Sequence, residues 1–208
     1  MKDNLSYLLS AIELAANIDI GNKKLDNCEF EILKQQPKWQ KYLEQQADLL
    51  QEAIKIFKNY DKMGTLKYFW QDLKNQKIQF TEGILKQLLE YALLAYDHNN
   101  LNDAYKMLSF ISTYYPRHYK VYLYLGSVVQ ALYGFEEAAT FFKNTTSVFP
   151  EPDLLVLAAE NEFQRKNTEE GRSYLQKAKN VLSERNTLTE YDKGLKTRIE
   201  ELLNVFNS

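Results

Sequence analysis

Few residues of this 208-residue chain have the types and spacing that chemistry needs. Cys28 is its single cysteine. A thiol becomes a nucleophile when a neighbouring base or positive charge lowers its pKa, yet no histidine lies near Cys28 in sequence. It cannot close an intramolecular disulfide, which argues for a reducing compartment or for indifference to redox, and it reads as a semi-buried small apolar residue. His98 sits in "DHNN" and His118 follows "YYPR", two turn positions twenty residues apart with no cysteine or carboxylate pair at ligand spacing beside them. They read as solvated polar residues, and no metal site is expected. The adjacent acids of "GFEEAA" and "TEEGRS" fall in the first turn of a helix, where they complement the macrodipole; they are not a glycosidase pair. No glycine-rich phosphate loop and no nucleophile elbow occur. The expectation is a protein that is no enzyme, with no catalytic residues, metal or cofactor.

The elements that would position any site are helices. Only 7 Gly and 4 Pro are present, too few for a turn-rich β-sandwich, while 45% hydrophobic and 26% charged residues are those of an ordinary soluble chain. The net charge is −2, with Lys and Arg scattered among Asp and Glu, so no basic stripe invites nucleic acid. The start, "MKDNLSYLLSAIELAANIDIG", is interrupted by Asp3 and Glu13 and spaced as an amphipathic helix. It reads as neither signal peptide nor membrane span, so stable membrane insertion is not expected and the cytosol is the expected compartment.

A period of 34 residues runs through the second half. It separates Ala92 from Gly126, Ala104 from Ala138, Leu108 from Phe142 and Pro116 from Pro150. Ala159, Gly171, Leu175 and Ala178 continue it at an offset of 33, which predicts a loop one residue shorter. This is the period and small-residue layout of the tetratricopeptide repeat, two antiparallel helices per unit. Small residues belong where the two helices cross, because only they let axes approach within about 8 Å. Leu108, Phe142 and Leu175 fill the space beside each crossing, and Pro116 and Pro150 end the second helices. The spacing predicts helices over 81–97, 101–114, 118–132, 135–148, 153–166 and 168–184.

Beyond the repeats, "EYDKGLKTRIEELLNVF" places Leu195, Ile199, Leu202 and Leu203 on one face, a helix to cap the last repeat. Upstream, Trp39, Leu43, Leu50, Ile54 and Phe57 recur at helical spacing in a segment that stops at Gly64, with "NKKLDN" as a polar joint before it. The expected fold is all-α: a helical extension over 1–64, a solenoid of three helix pairs over 65–184, and a capping helix over 185–208.

In such a solenoid the first helix of each pair lines the concave face. The inward positions are then Leu89, Leu93 and Tyr96 in the first unit, Leu123, Ser127 and Gln130 in the second, and Val156, Glu160 and Phe163 in the third. An apolar row edged by a few hydrogen-bonding groups fits an extended peptide or helix of a partner protein. It equally fits cover by the chain's own N-terminal extension, or residues that are partly core.

The run from "LLEYALLAY" through "YLYLGSVVQALYGFEEAA" to "LAAENEFQRKNTEEG" resembles the class II chaperones of bacterial type III secretion, and Trp70 and Leu73 resemble the W-x-x-L of the helix that leads into that family's repeats. The resemblance covers roughly 65–182. It implies a bacterial cytosolic chaperone whose groove takes an extended segment of a secreted translocator and keeps it soluble until export, with homodimerisation through N-terminal helices and no catalysis. Two departures stand out: the extension before residue 65 is longer than usual in the family, and Leu89 and Leu93 stand where members often carry aromatics. The alternative is a generic repeat scaffold, or a needle-subunit chaperone, with another protein partner.

Overall fold

Where the repeat period predicts a helix crossing, the small residues are sealed: Ala92, Ala104, Ala138 and Ala159 have no exposed surface, and Gly126 and Gly171 are buried. These crossings come from a computed structural model, which describes the backbone of residues 37–74 and 81–206 and the side chains of 48–71 and 81–206. Cys28, the "NKKLDN" joint and the side chains of Trp39, Leu43 and Leu73 lie outside the described residues. Among the described residues the regular structure is wholly helical, and the chain divides into two compact units, Met1–His118 and Tyr119–Ser208.

The first unit contains α1 (Pro37–Tyr60), α2 (Lys67–Lys74), α3 (Glu82–Asp97) and α4 (Leu101–Tyr114). Helices α3 and α4 form an antiparallel pair, and α1 lies along α4. Thr81 caps α3 by accepting a hydrogen bond from the Ile84 amide, and the chain reverses after α3 through Asn99, at φ 60°. Asn adopts that left-handed conformation at lower cost than most residues. Of the predicted apolar stripe of α1, Leu50 and Phe57 are buried and Ile54 is half-buried, with Ala53 buried beside them. Phe57 meets Phe110 of α4 edge-on at 5.4 Å and Trp70 of α2 at 5.7 Å. Trp70 also reaches Phe110, at 6.3 Å, so three helices share one aromatic cluster. The joint between α1 and α2 closes on Asp61, whose carboxylate accepts from the amides of Thr65 (2.7 Å) and Leu66 (2.9 Å) and from the Tyr91 hydroxyl (3.0 Å).

The second unit contains α5 (Tyr119–Tyr133), α6 (Phe135–Val148), α7 (Pro152–Gln164), α8 (Thr168–Ser183) and α9 (Glu190–Val205). Helices α5 with α6 and α7 with α8 are the two further pairs, α6 packs on α7, and α9 packs on α8 and α7. The turn within the α5/α6 pair is the single residue Gly134, at φ 92°, a conformation open to glycine and strained for other residues. The shorter offset of the third repeat has its predicted cause: residues 115–118 separate α4 from α5, while only 149–151 separate α6 from α7. Pro152 opens α7 at a position where its missing amide hydrogen costs nothing. Helix α9 starts from a reciprocal cap in which Thr189 and Asp192 satisfy each other's backbone amides. Its predicted apolar face is real but thin, since Ile199 is fully buried while Leu195, Leu202 and Leu203 are half-buried.

Candidate peptide-binding faces

On α3 the inward positions are open. Leu89 and Leu93 are half-buried, Tyr96 is 37% exposed, and the neighbouring Leu94 is 42% exposed. These side chains share a helix whose adjacent face, Leu85, Leu88, Ala92 and Ala95, is buried, so an apolar strip beside it keeps part of its surface exposed. On α5, Leu123, Ser127 and Gln130 are likewise half-buried. The Ser127 hydroxyl is partly engaged, donating to the Leu123 carbonyl at 3.3 Å within its own helix.

The third set is different. Val156 and Phe163 are core residues, 3% and 9% exposed. Phe163 is pressed on one side by α8, where Gly171 leaves room for its ring. On another side it stacks against Phe206, just past the end of α9, with ring centroids 3.7 Å apart and planes within 9°. The Glu160 carboxylate, expected to face a ligand, instead accepts from Arg198 Nε of α9 at 2.8 Å. Helix α9 and Phe206 therefore engage two of the three positions, Glu160 and Phe163, that the register assigns to the inner face of the third repeat. Phe206 and Arg198 sit outside the repeat period, so the register offered no signal for them.

The starts of α5, α7 and α9 are tied by side chains spaced about one repeat apart. Asp153 accepts from the hydroxyls of Tyr119 and Tyr191, each at 3.4 Å. Burial, and then the negative charges of Asp153 and Glu151, push the Tyr119 phenol up to about 12, so it stays a neutral donor at physiological pH. Arg185 bridges Glu151 at 3.0 Å and Asp192. Glu162 is buried, 4% exposed, and accepts from Arg165 at 2.7 Å and from Asn167 at 2.9 Å. Arg165 also pairs with Glu136 of α6. These are clamps between helices. His98 is exposed at the end of α3, and His118 is half-buried beside a cleft of about 410 Å³ lined by Glu82, Leu85 and residues 114–117. Among the described residues no group of three His, Cys, Asp or Glu side chains could hold a metal ion, and no helix is long and apolar enough to cross a membrane.

The sequence matches no protein-family model and no curated protein. The fold does have close counterparts among solved structures. The Yersinia enterocolitica type III secretion translocator chaperone SycD superimposes with a TM-score of 0.54 at 22% identity, over 64% of this chain and 96% of SycD. PcrH from Pseudomonas aeruginosa gives 0.54 at 20% identity, over 62% and 96%. PcrH in complex with the chaperone binding region of PopB gives 0.51 at 21% identity, over 60% and 98%. At this identity the likeness establishes the fold: a helical repeat architecture that spans nearly the whole of those proteins and leaves over a third of this chain outside the match.

Proposed function

We propose that the protein is a cytosolic, non-catalytic chaperone of the translocator class in bacterial type III secretion. The observation that carries this reading is the superposition on SycD and PcrH over almost their full lengths, SycD also solved in complex with a peptide of the translocator YopD and PcrH with the chaperone binding region of PopB. The mechanism is sequestration. A translocator has long apolar segments that associate prematurely if left free, and apolar side chains of such segments are buried instead on the incompletely buried inner positions Leu89, Leu93 and Tyr96 of α3 and Leu123, Ser127 and Gln130 of α5. Gln130 supplies both a donor and an acceptor for the amide groups of an extended segment, which are costly to leave unsatisfied once dehydrated. Residues 1–64 act as a separate helical extension that packs on the repeats or on a second copy.

The test is co-expression with a protein encoded by a neighbouring gene that carries long apolar segments. That protein should be soluble and co-purify only when this chain is present. Equal solubility with and without it, and no co-purification, would point to a repeat scaffold with another partner.

A further inference from the structure

Helix α7 and the residue that caps it carry four carboxylates, and three of them hold an arginine. Glu151 pairs with Arg185, Glu160 with Arg198 and Glu162 with Arg165. Asp153 is the exception, with no ion pair among the described residues. Its carboxylate accepts from the Leu154 amide at 3.0 Å, and from the hydroxyls of Tyr119 on α5 and Tyr191 on α9 at 3.4 Å each. Hydroxyl–oxygen bonds of full strength are nearer about 2.7–2.8 Å, so both phenols hold it loosely. Asp153 and Tyr119 are half-buried and Tyr191 is 63% exposed, so the group reaches solvent.

The register places Asp153 in the inner row. It precedes Val156 by three residues and Glu160 by seven, the spacing of one helix face. The corresponding residues of the first two units are Lys86 and Lys120, so the row starts with a carboxylate in the third unit alone. Further along that row, α9 neutralises Glu160 through Arg198. At Asp153, α9 supplies the Tyr191 hydroxyl and no charge.

We propose that Asp153, with Tyr119 and Tyr191 beside it, is the subsite that receives a basic side chain, lysine or arginine, of the bound client segment. The inference rests on the chaperone reading above and adds to its apolar anchors one charged position that fixes the register of the segment. An ammonium or guanidinium donates to Asp153 in charge-assisted hydrogen bonds, roughly twice as strong as neutral ones, and phenol rings accept a cation against their faces. An acidic side chain at the same place would face Asp153 and is refused.

The experiment is calorimetric titration of the full chain, wild type and Asp153→Asn, with the client fragment that co-purifies and with versions of it in which each Lys or Arg is replaced in turn by Gln. Asp153→Asn keeps the size of the side chain and an acceptor oxygen, so the helical circular dichroism and thermal midpoint should stay at wild-type values. It should weaken binding about tenfold. One of the fragment replacements should weaken binding to wild type by the same factor and change nothing in Asp153→Asn, and added salt should narrow the gap between the two proteins. Wild-type affinity in Asp153→Asn, or losses that simply add for every replacement, overturns the subsite and leaves the chaperone reading intact. If no fragment binds either protein, the chaperone reading fails, and the subsite is decided by nuclear magnetic resonance with the peptide acetyl-Leu-Arg-Leu-amide. That peptide should shift the Leu154 amide of the wild type saturably, and either Asp153→Asn or the peptide acetyl-Leu-Gln-Leu-amide should abolish the shift. Equal shifts, or none, overturn the subsite.

Discussion

A Cβ atom placed on Gly171 of α8 would lie 2.5 Å from Cε1 of Phe163 on α7. The glycine is where it is because the ring needs that space. In the preceding pair Gly126 stands in the same relation to Phe142, whose Cζ would be 2.8 Å from an added Cβ. Gly194 of α9 is the opposite case, with no atom within 4 Å of where its Cβ would be.

Opposite effects are therefore expected from one substitution. Alanine gains about 1 kcal/mol over glycine in a helix interior, while overpacking a filled site costs roughly 1–3 kcal/mol. Phe142 is 1% exposed and Phe163 9%, so neither ring has room to swing away. Gly126→Ala and Gly171→Ala should lower stability by up to about 2 kcal/mol, and Gly194→Ala should raise it by about 0.5–1 kcal/mol. Urea unfolding midpoints of the three variants check the sign of each.

Asp61 should make stability depend on pH. Burial pushes its carboxyl up, but the hydrogen bonds from Leu66, Tyr91 and Thr65 outweigh burial and hold it below its ordinary value of 3.8. A carboxyl with a depressed folded-state pKa contributes stability above its unfolded pKa, and the contribution is lost as pH falls through the lower folded value. Asp61→Ala also strands the donors of Thr65 and Leu66, so a loss of about 1–3 kcal/mol is expected at pH 7. The gap between variant and wild type should narrow below pH 3.8. A gap that is the same at pH 7 and pH 3 means that the charge is irrelevant.

Arg165 separates a buried ion pair from an exposed one. Its bonds to Glu162 satisfy a carboxylate that is 4% exposed. Removing the arginine leaves that charge with Asn167 alone among its described partners, and Arg165→Ala should cost about 1.5–3 kcal/mol. Glu136 is largely solvated, and Glu136→Ala should leave the thermal midpoint close to wild type. Equal effects of the two variants would place the worth of the network at the surface.

The parts legible in the sequence were those the repeat period controls. Helices α4 and α6 run over the predicted residues, and the shorter loop at 149–151 follows from the offset between Ala138 and Gly171. Periodicity reports which side of a helix a residue occupies. It does not report what lies over that side. Val156, Glu160 and Phe163 share the register of Leu123, Ser127 and Gln130, yet α9 covers Phe163 and engages Glu160. The amphipathic pattern of α9 predicted a capping helix, and Phe206 continues its stripe three residues after Leu203, but spacing along one helix does not name a partner 43 residues away. The aromatic cluster around Trp70 was missed for the same reason: it joins three helices of which only one belongs to a repeat.

Burial also decides which substitutions can test client binding. Phe163→Glu would place a charge in a site 9% exposed and unfold the third pair, so loss of binding there would say nothing about the inner face. Leu93 and Leu123 are half-buried, on α3 and α5, and a carboxylate at either can reach water. Each apolar anchor that a client buries contributes roughly 1.5–3 kcal/mol, against an association cost on the order of 4–15 kcal/mol. Losing two anchors therefore removes about 3–6 kcal/mol, enough to turn a stable complex into one that does not survive purification. Co-expression of the Leu93→Glu, Leu123→Glu double variant with the client should abolish co-purification while the helical circular dichroism and thermal midpoint stay near wild type. Full recovery of the client with that variant would move the binding site off the inner faces of α3 and α5.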